Sequence, residues 1–537
     1  MYVRAAVMLC CLSLLPTSAA TQSAERVGEV SFPTSCAADV SGDFDRAVAL
    51  LHSFEFEESR NTFASIAGRD PDCAMAHWGV AMTYHHLLWA PPTDRDLELG
   101  TAAAARALEL PVTDRERAYT EAIAAFYRDY ERQDHATSSR AYETAMARLH
   151  EGHPDDVEAE IFYIVSVLSN ADPTDKSYAV QKRTGAWLES LWAKMPNHPG
   201  IVHYIIHSYD YPPLSEVAVE AAHRYLEIAP SLPHAVHMSS HIFTQEGMWE
   251  ASIRANTLSA GASRDRGEEL GTVVQAQLGE MHALDYLAYA YLQRGQNDEA
   301  KRVRDHIASL DELTWSNGVV AFNAGAVPVR YALERRAWEE AASLPPAREA
   351  EAAGGNYQVR AVVALRHWAR AVGAAQSGQL EKADRELARL TELTEELGRV
   401  PDVWARNTAE VLRLEAEAWL ALARGEADRA LSLMRSAAAL EDQTDKSSLS
   451  PGRVLPVHEQ LGDMLMELGR PGDALREYET SLAHARQRFN SYYGAARAAR
   501  AAGELDVARD HYRKLLELTA PDSPRPELKE ARLFLES

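Results

Sequence analysis

The stretch LGDMLMELGRPGDALREY at residues 461–478 indicates how this chain folds, because a related stretch, AARAARAAGELDVARDHY, follows at residues 495–512. The repeated positions hold small or apolar residues, a glycine, an alanine five residues after it and a tyrosine, all displaced by 34 residues. A fixed period of about 20–50 residues is typical of solenoids built from short structural repeats. The spacing predicts two copies of one helix–turn–helix unit.

The same glycine–alanine spacing recurs outside these two units. A glycine suits the turn between two helices, and a small alanine lets the second helix approach the first closely. Segments rich in Ala, Leu, Glu and Arg lie between the turns, with apolar residues at helical spacing and no alternating strand pattern. We therefore predict an all-α fold, with helix–turn–helix repeats stacked into a curved solenoid. The pairs are Gly42/Ala47, Gly295/Ala300, Gly378/Ala383, Gly425/Ala430, Gly469/Ala474 and Gly503/Ala508.

The period and pattern resemble those of the tetratricopeptide-repeat (TPR) family, whose unit is a helix–turn–helix of this length. Three stretches further resemble a secreted bacterial subfamily of TPR proteins: LHSFEFEES from Leu51, DPDCAMAHWGVAM from Asp70 and PGRVLPVHEQLGD from Pro451. The resemblance implies that the first helix of each unit lines a concave groove, where the wider family recognises peptides. It covers most of the chain and is more specific for fold than for function.

These patterns divide the chain into six parts. They are a signal peptide (1–20), an N-terminal lead-in (21–40), N-terminal TPR-like repeats (41–195), His-rich central repeats (196–310), longer degenerate repeats (311–450) and a C-terminal TPR pair (451–537).

Residues 1–20, MYVRAAVMLCCLSLLPTSAA, contain one basic residue, a short apolar run and small residues before the expected cleavage point. This is the pattern of a secretory signal peptide, and the run is too short to span a bilayer as a helix. We expect an exported protein, periplasmic or extracellular, with no integral membrane segment after cleavage. Removal of the signal leaves Cys36 and Cys73, which we expect to form a disulfide in an oxidising compartment. Two buried free thiols are the alternative.

The chain carries 55 Lys and Arg against 79 Asp and Glu, a formal net charge of −24. Such a surface repels phosphate backbones, so we expect no nucleic-acid partner. Glycine-rich phosphate loops and serine nucleophile elbows are not recognisable, which argues against a nucleotide cofactor and against a serine hydrolase.

Histidines are concentrated in the centre of the chain, with seven of the 20 between residues 198 and 241. Counted back from the turn of each unit, three successive first helices carry polar residues three or four positions apart, on one helix face. The resemblance places that face in the groove. We therefore predict one shared metal site formed by His203, His207, Asp210, His234, His237, His241, His282 and Asp285.

Converging imidazoles and carboxylates bind transition metals, and a nitrogen-rich set suits zinc, copper or iron better than calcium or magnesium. A metal-free polar groove and unrelated structural roles are the alternatives. His198 and His223 are expected to lie outside the site, whereas His77, His85 and His86 are candidates to cap the same cavity.

The leading functional hypothesis is binding of a peptide, protein or small molecule in the metal-containing groove. The alternatives are a hydrolytic or oxidative metalloenzyme, in which Tyr204, Tyr289 or Asp210 aids proton transfer, and a metal-free peptide-binding scaffold. Near the C-terminus, the polar face of another helix predicts a site that binds an anion. Its arginines would also suit a surface network with acidic neighbours. Its residues are Asn490, Tyr493, Arg497 and Arg500.

Overall fold

The computed structural model describes residues 25–88, 91–310, 312–346 and 357–537, and the expected signal peptide at 1–20 lies outside them. Within the described residues, all the regular secondary structure is helical and no strand is present. The predicted all-α fold is therefore confirmed. None of the helices in these ranges combines the length and apolar character needed to cross a bilayer.

The helices follow one another in pairs joined by turns, as the repeat pattern predicts. The first seven pairs are α1 Ser41–His52 and α2 Phe56–Arg69; α3 Ala74–His85 and α4 Asp94–Glu109; α5 Asp114–Tyr127 and α6 His135–Gly152; α7 Val157–Ser169 and α8 Ala179–Trp192; α9 Pro199–Tyr209 and α10 Val219–Ile228; α11 Pro233–Gln245 and α12 Trp249–Leu270; α13 Val273–Gln293 and α14 Asn297–Ser309.

Five further pairs and a closing helix complete the described part of the chain. They are α15 Gly318–Glu334 and α16 Trp338–Ala342; α17 Tyr357–Gln376 and α18 Leu380–Leu397; α19 Val403–Ala423 and α20 Ala427–Asp442; α21 Val457–Glu467 and α22 Pro471–His484; α23 Phe489–Ala502 and α24 Leu505–Leu518; and α25 Pro526–Glu536. Short 3-10 helices occupy Ala38–Val40, Tyr130–Arg132 and Ser215–Ala218.

The turn glycines explain why the helices end where they do. Gly503 follows α23 with φ of 86°, a left-handed conformation that glycine adopts without a steric penalty. Ala508, five residues later, is fully buried where α24 packs on α23. Gly295, Gly378, Gly425 and Gly469 have the same left-handed φ.

The turn predicted at Gly42 is wrong. It lies inside the first turn of α1, among residues with helical conformation, so the pair Gly42/Ala47 does not mark a turn between two helices. Ala47 is nevertheless fully buried, and its carbonyl accepts a hydrogen bond of 2.8 Å from the Ser59 hydroxyl on α2. The small residue thus serves the expected close contact with α2, while the turn itself comes after α1.

The first helices of successive central pairs pack side by side, α9 against α11, α11 against α13 and α13 against α15. The chain also winds back onto itself, because α1 contacts α9 and α13 contacts α23. Residues 443–456, between α20 and α21, cross the inner face of the central helices. Two hydrogen bonds fix this crossing segment, from the Tyr178 hydroxyl to Asp445 at 2.9 Å and from the Tyr286 hydroxyl to the Ser450 carbonyl at 3.3 Å.

A buried ionic cluster joins the C-terminal helices to the centre of the array. Arg488, which is completely buried, donates hydrogen bonds to Glu459 at 3.0 Å, to the Tyr289 hydroxyl at 2.8 Å and to Glu334 at 3.1 Å. One guanidinium therefore connects α13, α15 and α21. Burial of such charges is tolerated only when their partners and hydrogen bonds are complete.

Cys36 and Cys73 are joined by a disulfide, which confirms the prediction made from their isolation and spacing. The bond ties the segment before α1 to the start of α3 and closes a loop with a sequence separation of 37 residues. In the chain-entropy description, this crosslink stabilises the fold by restricting the unfolded chain.

We expect the double substitution Cys36→Ala/Cys73→Ala to lower the free energy of unfolding by about 3–4 kcal/mol. Chemical denaturation under oxidising conditions measures the loss. The wild type in a strong reductant is the control, and its stability should approach that of the variant. Equal stability of the oxidised wild type and the variant would contradict the crosslinking role.

We expect Arg488→Met to destabilise the protein by about 3–5 kcal/mol, because Glu334 and Glu459 lose the guanidinium that compensates them in the interior. Adding Glu334→Gln to Arg488→Met should recover part of the loss. Arg500→Met is the matched control, since the Arg500 side chain is 52% exposed and pairs with Glu530 at 3.5 Å. A similar loss of stability in Arg488→Met and Arg500→Met would show that burial of Arg488 does not add to the destabilisation.

Candidate metal centre

Six histidine side chains converge where α9, α11 and α13 pack together. They form two groups, and in each group the three candidate ligand atoms all lie within 4.8 Å of one another. The α11–α13 triad consists of His237, His241 and His282; the α9–α11 triad consists of His203, His207 and His234. The helical spacing of three or four residues aligns the imidazoles along each helix, and the packing of the first helices brings the helices together.

The α11–α13 triad is the more deeply buried of the two, because all three of its residues are almost inaccessible to solvent. The Nε2 atoms of His237 and His241 are 3.0 Å apart. The ring of His282 lies with its centre 4.2 Å from that of His237 and 5.8 Å from that of His241. Side chains from two neighbouring helices therefore surround one small volume.

Hydrogen bonds at the opposite ring nitrogens fix the orientation of this triad. The Nδ1 atom of His237 lies 2.7 Å from Oδ1 of Asn256, whose amide nitrogen donates to the Ser252 carbonyl at 2.9 Å. The Nδ1 atom of His241 lies 2.8 Å from the Asp210 carboxylate. Both partners are acceptors, so they assign the proton of each ring to Nδ1 and leave a lone pair on each Nε2.

A longer contact of the same kind orients His282. Its Nδ1 atom lies 3.5 Å from Oδ1 of Asn323, and the amide nitrogen of Asn323 donates to the Val319 carbonyl at 2.9 Å. The backbone of Leu449, in the crossing segment, also faces this imidazole. The α11–α13 triad is thus surrounded by side-chain and backbone oxygens, the outer shell that orients histidine ligands in metal sites.

Burial lowers the pKa of all six imidazoles, because the charged form loses its hydration in the interior. The pKa of His207 and that of His282 fall to about 3, and neighbouring imidazoles add to the effect of burial in both. At neutral pH these rings are therefore uncharged, which is the protonation state that binds a metal.

Asp210 occupies a supporting position. Although burial opposes its ionisation, Lys446 and His241 hold the pKa of Asp210 below its usual range. Its carboxylate accepts from Lys446 Nζ at 2.8 Å and from Gln245 at 3.2 Å, in addition to its bond with His241. All these contacts make Asp210 an orienting and charge-compensating group behind His241, rather than the direct ligand that its helical position predicts.

Asp285, one of the predicted ligands, belongs to neither triad. It forms a fully buried ion pair with Arg330, with distances of 3.0 Å to Nε and 3.3 Å to Nη2. Arg330 also donates to the Gly452 carbonyl at 3.2 Å. Asp285 therefore anchors α13 to α15 and to the crossing segment, because its guanidinium partner competes successfully for its two oxygens.

Two neighbouring cavities reach the histidines. One, of about 410 Å³, is bordered by His207, His241 and Lys446, with Phe322 and Trp404 in its walls. The other, of about 680 Å³, is lined by Phe54 and Glu55 of the turn before α2 and by residues of α2, α11, α12 and α13, among others. His234 and His282 border both cavities, so a small molecule in either one would reach a triad.

The other central histidines lie elsewhere. His198 and His52 bind opposite oxygens of the buried Glu158 carboxylate, each at 2.9 Å. His223 is exposed on α10 and its ring packs on Phe243, outside both triads as expected.

The three candidate capping histidines have different positions. His86 borders the larger cavity and its ring contacts that of Phe56, so only this member of the set reaches the groove beside the triads. His85 is buried against Phe126 and Tyr142, and the partly buried His77 lies about two turns earlier on α3.

The proposed proton-transfer tyrosines are engaged in other contacts. The Tyr204 hydroxyl pairs with His52 Nδ1 at 3.0 Å, and the Tyr289 hydroxyl accepts from Arg488 at 2.8 Å. Neither tyrosine borders the two cavities beside the triads.

The candidate anion-clamp residues all face carboxylates or aromatic rings. Asn490 donates to the Glu334 side chain at 3.1 Å, and the Tyr493 hydroxyl donates to Glu530 at 2.6 Å. Arg500 also pairs with Glu530, while Arg497 lies over the Tyr493 ring at 5.5 Å. Three of the four residues thus contact carboxylates of α15 and α25.

Sequence patterns missed Asn256, Asn323 and Lys446. Asn256 lies on the second helix of its pair, and Lys446 lies in an irregular segment. Asn323 occupies on α15 the position that His282 occupies on α13, but Arg336 replaces the turn glycine from which that position would be counted. Their roles depend on contacts with residues that are distant in sequence, for which a single helix face carries no signal.

Comparison with known proteins adds little beyond the helical architecture. The chain is similar to a solved structure of the APC/C hetero-tetramer Cut9–Hcn1, with a TM-score of 0.33 and 12% identity, covering 93% of this chain and 89% of that one. It is also similar to yeast Tom70, with a TM-score of 0.34 and 11% identity, covering 93% and 95%. No family model and no curated protein matches the sequence. Likeness at this level carries no conclusion about function, and the TPR-like assignment rests on the stacked helix pairs themselves.

Proposed function

We propose that this protein is an exported TPR-like scaffold that binds a transition-metal ion through His237, His241 and His282 and uses the adjoining cavity to bind a ligand or partner. The observation that carries the proposal is the 3.0 Å approach of two Nε2 atoms whose rings both have their protons assigned to Nδ1. Two lone pairs at this distance repel each other unless a cation lies between them.

A proton is the simplest such cation, but burial works against it. The desolvation that lowers the pKa of these imidazoles raises the free energy of any imidazolium in the triad. A transition metal instead forms bonds of about 2.0–2.1 Å to each nitrogen, which in a tetrahedral site separates two ligands by about 3.3–3.5 Å. Small ring movements that lengthen the 3.0 Å separation would accommodate the ion.

The donor set favours zinc, copper or iron. Imidazole nitrogens suit these ions, whereas calcium and magnesium prefer oxygen ligands. The carboxylate of Asp210, bonded to His241, supplies compensating negative charge next to the triad. Three protein ligands also leave a coordination position for water or for a group of a bound molecule.

The cavity of about 410 Å³ supports a role in ligand binding, because it reaches His241 and His282 and carries the ammonium group of Lys446. Metal-dependent catalysis on a small molecule is a second candidate favoured by this same cavity. The engagement of Tyr204 and Tyr289 in other hydrogen bonds weighs against the proton-transfer roles considered for them. Export is supported by the signal-like residues 1–20 and by the Cys36–Cys73 disulfide.

We expect His241→Ala to weaken zinc binding at least about tenfold, because a ligand and its link to Asp210 are lost together. Competition with a chelator of known affinity measures binding, and far-UV circular dichroism checks the helical content. The matched control is His223→Ala, which removes an exposed histidine of the neighbouring helix. Failure of the folded wild type to bind zinc, copper or iron would contradict the proposed function.

We expect zinc binding to release almost no protons at about pH 6.5. The imidazole of His282, with a pKa of about 3, is already neutral there, whereas an ordinary imidazole would be half protonated and would release about half a proton. Because the pKa is lowered, protons compete with the metal for His282 only when the pH falls toward 3. Calorimetric titration in two buffers of different ionisation enthalpy measures the release, and half a proton or more per imidazole would contradict this protonation state.

A further inference from the structure

The α9–α11 triad has the geometry of a separate binding site. The Nε2 atoms of His203 and His207 are 3.1 Å apart, and the candidate ligand atoms of His203, His207 and His234 all lie within 4.8 Å of one another. The ring centres of His234 and His237, one from each triad, are 6.5 Å apart. The six imidazoles thus divide into two sets of three within one continuous cluster.

Contacts from α1 and α7 fix the orientation of this second set. The Nδ1 atom of His203 donates to the His52 carbonyl at 2.6 Å, which leaves the His203 Nε2 lone pair directed at His207. The His52 ring is itself held by Glu158 at 2.9 Å and by the Tyr204 hydroxyl at 3.0 Å. The helix that presents His203 is therefore positioned by a hydrogen-bonded network, as histidine ligands are in metal sites.

An aromatic wall covers the second set. Phe54, between α1 and α2, places its ring centre 4.5 Å from that of His203 and 5.5 Å from each of those of His207 and His234. Its φ of 57° is left-handed, a conformation that is costly for a bulky residue and that persists only when its surroundings impose it. Tyr225 also stacks on His203, with ring centres 5.3 Å apart. These rings cover one side of the second set, and the cavity of about 410 Å³ borders another.

We propose that the α9–α11 triad binds a second transition-metal ion, so that the filled protein holds two ions, each on three imidazoles. This inference rests on the proposed function for the first ion but concerns different residues. The 410 Å³ cavity touches His207 and His234 of the second set and His241 and His282 of the first. A ligand in that cavity would therefore face both ions.

Charge is consistent with two ions that share an external anion. The ligands themselves are six neutral rings, and Asp210 supports only His241 through a direct bond while it also pairs with Lys446. Two divalent ions would therefore retain a large positive charge inside the protein. Binding of an anionic group or hydroxide from the cavity side would reduce that charge.

Zinc counting tests the proposal on the full mature chain. The protein is stripped with a chelator, equilibrated with excess Zn²⁺, passed into metal-free buffer and analysed for zinc per chain by mass spectrometry. We expect two ions in the wild type and in His223→Ala, and one ion in His207→Ala and in His241→Ala. His207 is chosen because it is partly exposed, unlike the fully buried His203.

The outcomes separate this inference from the proposed function. One ion in the wild type that is lost only in His241→Ala would overturn the second site and leave the first intact. One ion that is lost in both variants would indicate a single ion shared by the six imidazoles and would also overturn it. No bound zinc in the wild type would contradict both proposals, whereas two ions retained in His207→Ala would place the second ion elsewhere.

A titration of the wild type with Co²⁺ keeps the test independent of how the variants fold. Tetrahedral cobalt sites absorb visible light more strongly than the hydrated ion, so the absorbance reports the number of occupied sites. We expect it to rise until two equivalents have been added. A sharp end point at one equivalent would overturn the second site.

Discussion

Side-by-side packing of α9, α11 and α13 is the constraint on which the candidate site depends. α9 and α11 present their imidazoles at helical spacing and α13 adds His282, and only this packing turns them into two compact triads. Buried polar links also fasten these helices to their neighbours: the bond from His203 to the His52 carbonyl joins α9 to α1, and the ion pair between Asp285 and Arg330 joins α13 to α15. The same helix contacts therefore stabilise the fold and set the geometry of the site.

Much of this arrangement follows from local sequence patterns, and the rest depends on distant partners. The glycine–alanine spacing predicts the helix pairs, and counting from the turns predicts which histidines share a face. The same counting places Asp285 beside His282, but Arg330, 45 residues later, takes both of its oxygens. Lys446 reaches Asp210 across 236 residues, from a segment without helical periodicity. Pairings of this kind depend on how the array winds, which no single unit specifies.

The crossing segment shows how winding creates a pocket. A solenoid of helix pairs alone would present an open inner face, whereas residues 443–456 cover it opposite α13 and supply Lys446 and a backbone wall. Enclosure by this segment lowers the local dielectric and strengthens every charge interaction inside. Enclosure also buries charged side chains, which must then be fully paired. Arg330 and Arg488 meet this requirement by pairing with carboxylates and, for Arg330, with a backbone carbonyl.

A second buried histidine network in this protein helps to distinguish a metal site from a metal-free polar network. His52, His198 and Glu158 are buried as deeply as the triads, yet two imidazoles face one carboxylate, and every ring nitrogen has a partner of complementary character. In that network the histidines serve packing and need no ion. In the α11–α13 triad the complementary partners lie behind the rings, at Asn256 and Asp210, and the nitrogens in front face each other. A metal-free polar network of that kind places donors against acceptors throughout, and this inverted arrangement is what supports the proposed ion.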